Sequence, residues 1–153
     1  MARNLMIKQK LYSECLKYIE SKIEQISCAI DELQQAANLE IKSSMGDKYE
    51  TGRSAIHLEM EKYSQQLNEF YKLKKALSQI NADKIYDFVQ PGSVVYTNCG
   101  NFFIAINAGE FEIEGSGFLT ISLASPIGKE LYKRKAGDTF SFRDKIFEIN
   151  CLF

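Results

Sequence analysis

Apolar residues fall into two long rows in the first half of this chain and into short alternating runs in the second. Ile19, Ile23, Ile26, Ile30, Leu33 and Ala37 recur at alternating steps of four and three, and the rhythm reaches back through Leu16 and Tyr12. Such steps keep one stripe of a helix facing a single partner, as in a coiled-coil seam. Neither proline nor glycine interrupts Leu5 to Glu40, so the stretch predicts a single helix about 50 Å long. A second row runs through Ile56, Met60, Tyr63, Leu67 and Phe70, then through Leu73, Leu77 and Ile80 after one slip of three residues, a stammer. Between the rows, Lys42 to Gly52 is polar and holds Gly46 and Gly52, which reads as a loop.

The rows mirror each other. Ala37 and Ile56, Leu33 and Met60, Ile30 and Tyr63, Ile26 and Leu67, Ile23 and Phe70, and Leu16 and Leu77 are each equidistant from a point between Gly46 and Asp47. A hairpin folded on itself requires that reflection, whereas a parallel pair of chains does not. Since the hairpin uses its own seam, little of it remains for a partner helix, and a monomer is expected.

Beyond Ile80 the periodicity changes. Asn81-Ala82-Asp83-Lys84 and Gln90-Pro91-Gly92-Ser93 are linker and turn signals. Strand-like runs follow at Val94–Tyr96, Phe102–Ile106, Phe111–Glu114, Gly117–Leu123, Thr139–Phe142 and Ile146–Leu152. Asn107-Ala108-Gly109, Gly115-Ser116-Gly117 and Ala136-Gly137-Asp138 supply turns. Ser125-Pro126 predicts a short helix to Tyr132, with a capping hydroxyl followed by proline at the first helical position. The fold class is α+β: an antiparallel coiled-coil hairpin over residues 1–82, then a strand-rich domain over 83–153.

Composition narrows the function classes. Lys and Arg number 19 against 20 Asp and Glu, a net charge of −1, which argues against a basic arm gripping phosphates by counterion release. Any partner is expected to be protein, or nucleic acid already held by protein, without independent sequence-specific nucleic-acid binding. No apolar run reaches the roughly 20 residues of a membrane span, and Met1-Ala2-Arg3-Asn4 opens no secretory signal, so no membrane partner and a cytoplasmic location are expected. The four cysteines, Cys15, Cys28, Cys99 and Cys151, form no C-x-x-C pair, and His57 is the single histidine. A zinc site lacks a ligand set, and the cysteines read as reduced, mostly buried small hydrophobes.

Charge also differs along the hairpin. Asp31, Glu32, Glu40, Asp47 and Glu50 outnumber Lys42 and Lys48 around the fold-back, while Arg3, Lys8 and Lys10 lie at the end shared with Lys72, Lys74 and Lys75. Asp47-x-x-Glu50 before an apolar helical row is also a capping box, Asp47 at the N-cap and Glu50 at the third helical position. His57 has no partner at triad or ligand spacing and reads as a surface or partner-contact residue. Tyr49 either stacks on a base or packs the loop.

Two stretches carry a family resemblance. Ile121-Ser122-Leu123-Ala124-Ser125-Pro126-Ile127-Gly128-Lys129-Glu130-Leu131 with Lys135-Ala136-Gly137-Asp138, and Gln90-Pro91-Gly92-Ser93-Val94-Val95, resemble segments of the Gre transcript cleavage factors. The resemblance implies a helical hairpin joined to a C-terminal domain of FKBP-like fold. At the hairpin tip that family carries Gly-Asp-x-x-Glu-Asn, and Gly46-Asp47-Lys48-Tyr49-Glu50-Thr51 matches it except for Thr51. By resemblance the protein enters the secondary channel of RNA polymerase and is not itself an enzyme. Asp47 and Glu50 would join the second magnesium ion there, none being bound by the free chain, and the polymerase would hydrolyse the backtracked RNA at its 3′ end. Ser125, Pro126 and Ile127 would grip a coiled coil at the channel rim.

Alternatives remain open from the residues themselves. Thr51, Arg53 and Ser54 replace family residues at the tip, and Ala124 stands where a polar residue precedes Ser-Pro, so a polymerase binder that competes or inhibits without cleavage is a second reading. An FKBP-like prolyl isomerase is a third, although fold does not transfer activity. A structural coiled-coil adaptor, its tip acids only capping a helix, is the last.

Overall fold

A computed structural model describes the backbone of residues 2–42 and 47–153, and the side chains of 2–39 and 52–153. Helix α1 spans Ala2–Lys42 and helix α2 spans Asp47–Ser78. Then come β1 (Val94–Thr97), β2 (Gly100–Ile104), β3 (Gly109–Ile113), β4 (Ser116–Ile121), α3 (Pro126–Leu131), β5 (Thr139–Phe142) and β6 (Lys145–Leu152). The fold is α+β, a helical hairpin followed by a six-stranded mixed sheet. By compactness the chain divides into two units, Ile19–Lys74 and a second made of Met1–Tyr18 with Lys75–Phe153.

In the helical unit, burial follows the seam. From Arg53 to Ile80, Ile56, Met60, Tyr63, Leu67, Phe70, Leu73, Leu77 and Ile80 are buried or half-buried, and all other residues are exposed. The antiparallel pairing is seen in Lys74, whose Nζ lies 3.7 Å from Glu20 Oε1. It is seen again in a groove that Ala29, Glu32 and Leu33 line together with Ala55, Ile56, Glu59 and Tyr63. One expectation changes. The polar stretch 42–52 is not loop throughout, because helical backbone resumes at Asp47. Asp47 to Thr51 contains no helix breaker, acidic residues suit a first turn facing the helix dipole, and Gly52 costs a helix interior only about 1 kcal/mol.

The second unit is built around the sheet, in the order β3-β4-β2-β1-β6-β5. β2 and β4 are parallel, and β3 returns the chain between them; all other pairs are antiparallel. Two turns differ from expectation. The β3–β4 turn is Glu114–Gly115 at φ 52° and 82°, so Ser116 and Gly117 belong to β4. The β5–β6 turn is Arg143–Asp144 at φ 50° and 63°, a left-handed pair without glycine. Mirror-image turns of this kind match the twist of the strands they join, which outweighs the local cost of positive φ.

Each face of the sheet has its own cover. Val95, Phe102, Ile104, Ile121, Phe140, Phe147 and Ile149 form one core with Leu131 of α3 and Val89. On the other face Val94, Phe103, Phe118 and Phe153 are buried, and Ile7 of α1 lines a cavity with Tyr96, Ile113, Phe118 and Phe153. The first four turns of α1 thus carry a second buried stripe, Ile7, Lys8, Leu11 and Cys15, beside the seam. Lys8 is fully buried. Its ammonium donates to the carbonyl oxygen of Lys84 and lies 4.7 Å from the Tyr86 ring centroid. At the helix surface Arg3 and Lys10 pair with Glu114 at 3.3 and 3.7 Å, exposed pairs worth about 0–1 kcal/mol each.

Burial lowers the Lys8 amine from 10.5 to about 8. Between those values the unfolded chain holds a proton that the folded chain has released, so Lys8 makes stability rise with pH. Cys15 acts oppositely above its ordinary 9.0, because burial, with Glu14 beside it, pushes its thiol up to about 12. Lys8→Met removes the first effect and keeps the second. In urea unfolding of both proteins at about pH 7 and pH 10, the parent is expected to gain about 2–3 kcal/mol on the variant at the higher pH. An unchanged difference would contradict this account of Lys8.

Candidate functional site

The hairpin turn and the start of α3 hold the residues singled out in the sequence, and they belong to different units. Asp47 and Glu50 fall in the first turn of α2 by position; their side chains, and with them the expected capping box, lie outside the described residues. Close by, Arg53 Nε donates to His57 Nε2 at 3.4 Å, and both residues are exposed. Asp31 and Glu32 are also exposed. Glu59 is an acid that the fold-back argument did not single out. It lines the groove opposite Glu32, across Ala29, Leu33, Ala55 and Ile56. Pairing helices across the seam, then reading the flanking positions, is the signal that finds it.

Ser125, Pro126 and Ile127 divide three tasks among them. Ser125 is the N-cap of α3, at φ −67° and ψ 154°. Its Oγ accepts from the Gly128 N–H at 3.1 Å and donates to the Ser122 carbonyl oxygen at 2.6 Å. Ser122 is itself held, its N–H donating to Asn107 Oδ1 at 3.1 Å. Ile127 is half-buried and packs with Leu123 against the core, whereas Pro126, at the first helical position, is exposed with Ala124. Only Pro126 of the three is therefore presented chiefly to solvent. The capped turn is tight: a Cβ on Gly128 would overlap the Ser122 carbonyl oxygen and sit 2.8 Å from Ser125 Oγ.

The cysteines correct an expectation. Only Cys15 is buried; Cys28, Cys99 and Cys151 are free and exposed. Cys28 lies off the seam, Cys99 in the β1–β2 turn, and Cys151 beside a β6 register shift opposite Tyr96. Cys151 and Tyr96 line the cavity under α1, of about 520 Å³, together with Arg3, Glu114 and Phe118. Burial raises the Tyr96 phenol, and Cys151 adds to it. No group of three or more His, Cys, Asp or Glu suited to a metal ion occurs among the described residues. No helix among them is long and apolar enough to cross a membrane.

Comparison of the chain with family models, with curated proteins and with solved structures finds no match.

The α3 start gives a graded expectation. Ser125→Ala loses a cap and should cost about 1 kcal/mol. Gly128→Ala forces a side chain into packed backbone and should cost about 1–3 kcal/mol, while Pro126→Ala should fall within about 0.5 kcal/mol of the parent. Urea midpoints of the three variants test the order. A parent-like Ser125→Ala would show that the hydroxyl does not cap.

Proposed function

We propose that this chain is a Gre-like transcription elongation factor acting in the cytoplasm on RNA polymerase. On this reading the hairpin enters the polymerase's secondary channel and the FKBP-like sheet domain grips the channel rim through Ser125, Pro126 and Ile127. The observation that carries it is the meeting of two independent lines at one place. The mirrored seam centres between Gly46 and Asp47, and the two described helices flank that centre, α1 reaching Lys42 and α2 beginning at Asp47 with Asp47-x-x-Glu50 in its first turn. The Ser125-capped helix after β4 supports it from the other half of the chain.

The chemistry asked of the tip is modest. Magnesium prefers oxygen ligands and keeps several waters, so Asp47 and Glu50 need only supplement a shell that the polymerase supplies. A magnesium ion held there would stabilise the attacking and leaving oxygens of phosphodiester hydrolysis. The two carboxylates add ligands and orient an attacking water, and the polymerase remains the enzyme. Thr51, Arg53 and Ser54, beside the acids, favour as second reading a factor that occupies the channel without promoting cleavage.

RNA polymerase halted in a backtracked state separates the readings. The parent is expected to accelerate shortening of the RNA from its 3′ end. Asp47→Ala and Glu50→Ala should bind as the parent does but lose about 10-fold or more of the stimulation, the scale on which even outer partners of a metal act. Binding without cleavage by the parent would leave the channel-occupying reading. Absence of binding would end both.

A further inference from the structure

The net charge of −1 conceals an uneven distribution. From Lys129 to Lys145, six Lys and Arg residues stand against three Asp and Glu. Two of those acids are engaged locally. Glu130 lies 3.7 Å from the Arg134 guanidinium, and Asp138 accepts the Lys135 backbone N–H at 2.8 Å. Lys129, Lys133, Lys135, Arg143 and Lys145 are exposed and make no ion pair among the described residues.

Aromatic rings accompany these cations. Tyr132 is 44% exposed, with Lys133 Nζ 5.3 Å from its ring centroid. The Arg134 guanidinium covers Phe140 at 4.8 Å, and that of Arg143 covers Phe142 at 5.1 Å. Phe140 and Phe142 are two residues apart on the same side of β5, so their positions are spaced by about 7 Å along the strand. Both rings face the core, where Phe140 is buried and Phe142 packs against it, so Tyr132 is the ring these cations share with solvent. β5 is an edge strand of the sheet, which puts the Arg143 turn on the rim. Lys129 alone is explained as a complement to the α3 dipole, and lysines do blunt edge strands. Neither explanation calls for a half-exposed tyrosine among them.

We propose that the α3–β5 rim binds single-stranded nucleic acid without regard to sequence, its lysines contacting phosphates and Tyr132 stacking on a base. Such surfaces combine a basic track with aromatic platforms that accept any base. An acidic protein segment would satisfy the lysines and leave Tyr132 idle, so nucleic acid is the better fit. The proposal does not rest on the polymerase reading and is tested without polymerase.

Fluorescence anisotropy of the full chain with a labelled 12-nucleotide oligouridine is the test. Binding at low salt is expected, with an affinity that falls as salt rises. Lys133→Gln with Lys135→Gln should flatten the log–log salt slope by about 0.7 per lysine removed. Tyr132→Ala should weaken binding about tenfold, and Tyr132→Phe should restore it. Lys62→Gln with Lys72→Gln, an equal charge change on α2, should leave the slope unchanged. The proposal is overturned if the parent does not bind or if the Lys133/Lys135 variant binds as the parent does. It is also overturned if Tyr132→Ala keeps full affinity while oligoglutamate competes as well as RNA, the behaviour of an acidic-protein surface.

Discussion

A six-stranded sheet has two apolar faces, and this one has a single six-residue helix of its own to cover them. That shortfall shapes the second unit. α3 closes the face built from Val95, Phe102, Ile104 and Ile149, and the start of α1 lies over the other, where Ile7 lines a cavity with Tyr96, Phe118 and Phe153. The compact unit therefore runs across the joint between helices and sheet. The last residue joins in, since Phe153 exchanges two backbone hydrogen bonds with Val94 at 2.9 and 3.0 Å.

Lys8 shows the cost of covering a sheet with a helix that must also serve a seam. Its shift to about 8 corresponds to about 3 kcal/mol against the charged form at neutral pH. Burial of Ile7 and Leu11 contributes about 1.5–3 kcal/mol each, enough to offset it. The ammonium in turn admits few positions of the helix, because its proton needs the Lys84 carbonyl oxygen and an unsatisfied buried donor would cost more. The contact thus ties the linker after α2 to the helix that begins the chain.

What could be read in advance follows from which forces act locally. The seam was legible to the residue, because a four-three repeat has one geometric solution and every member from Ile56 to Ile80 is withdrawn from solvent. Strand positions were legible from alternation, as at Thr139–Phe142, where the observed β5 has the same bounds. The second stripe on α1 was not, since Ile7, Lys8, Leu11 and Cys15 lie off the seam repeat, and where their cover is seen it is distant in sequence: the sheet for Ile7 and the linker at Lys84 and Tyr86 for Lys8. Arg143–Asp144 carried no turn signal either, because strand pairing, not glycine, holds its left-handed backbone. At the candidate site the cap of Ser125 was readable from Ser-Pro, but that Ile127 would be partly drawn into the core depended on contacts with elements far away in sequence. Glu59 became visible only once the two helices were set side by side.

Net charge misleads for the same reason: it discards position. The three acids Glu110, Glu112 and Glu114 belong to β3 and its turn, while Arg143 and Lys145 belong to the β5–β6 hairpin, and β3 and β5 are the opposite edges of the sheet. Five strand spacings of about 4.8 Å separate those edges, some 24 Å, against a Debye length of about 8 Å at physiological salt. Charges so far apart across solvent do not neutralise one another. Each edge presents its own field to whatever approaches it, so a chain that is nearly neutral in total can still hold a polyanion at one rim. The sheet order, not the composition, decides that.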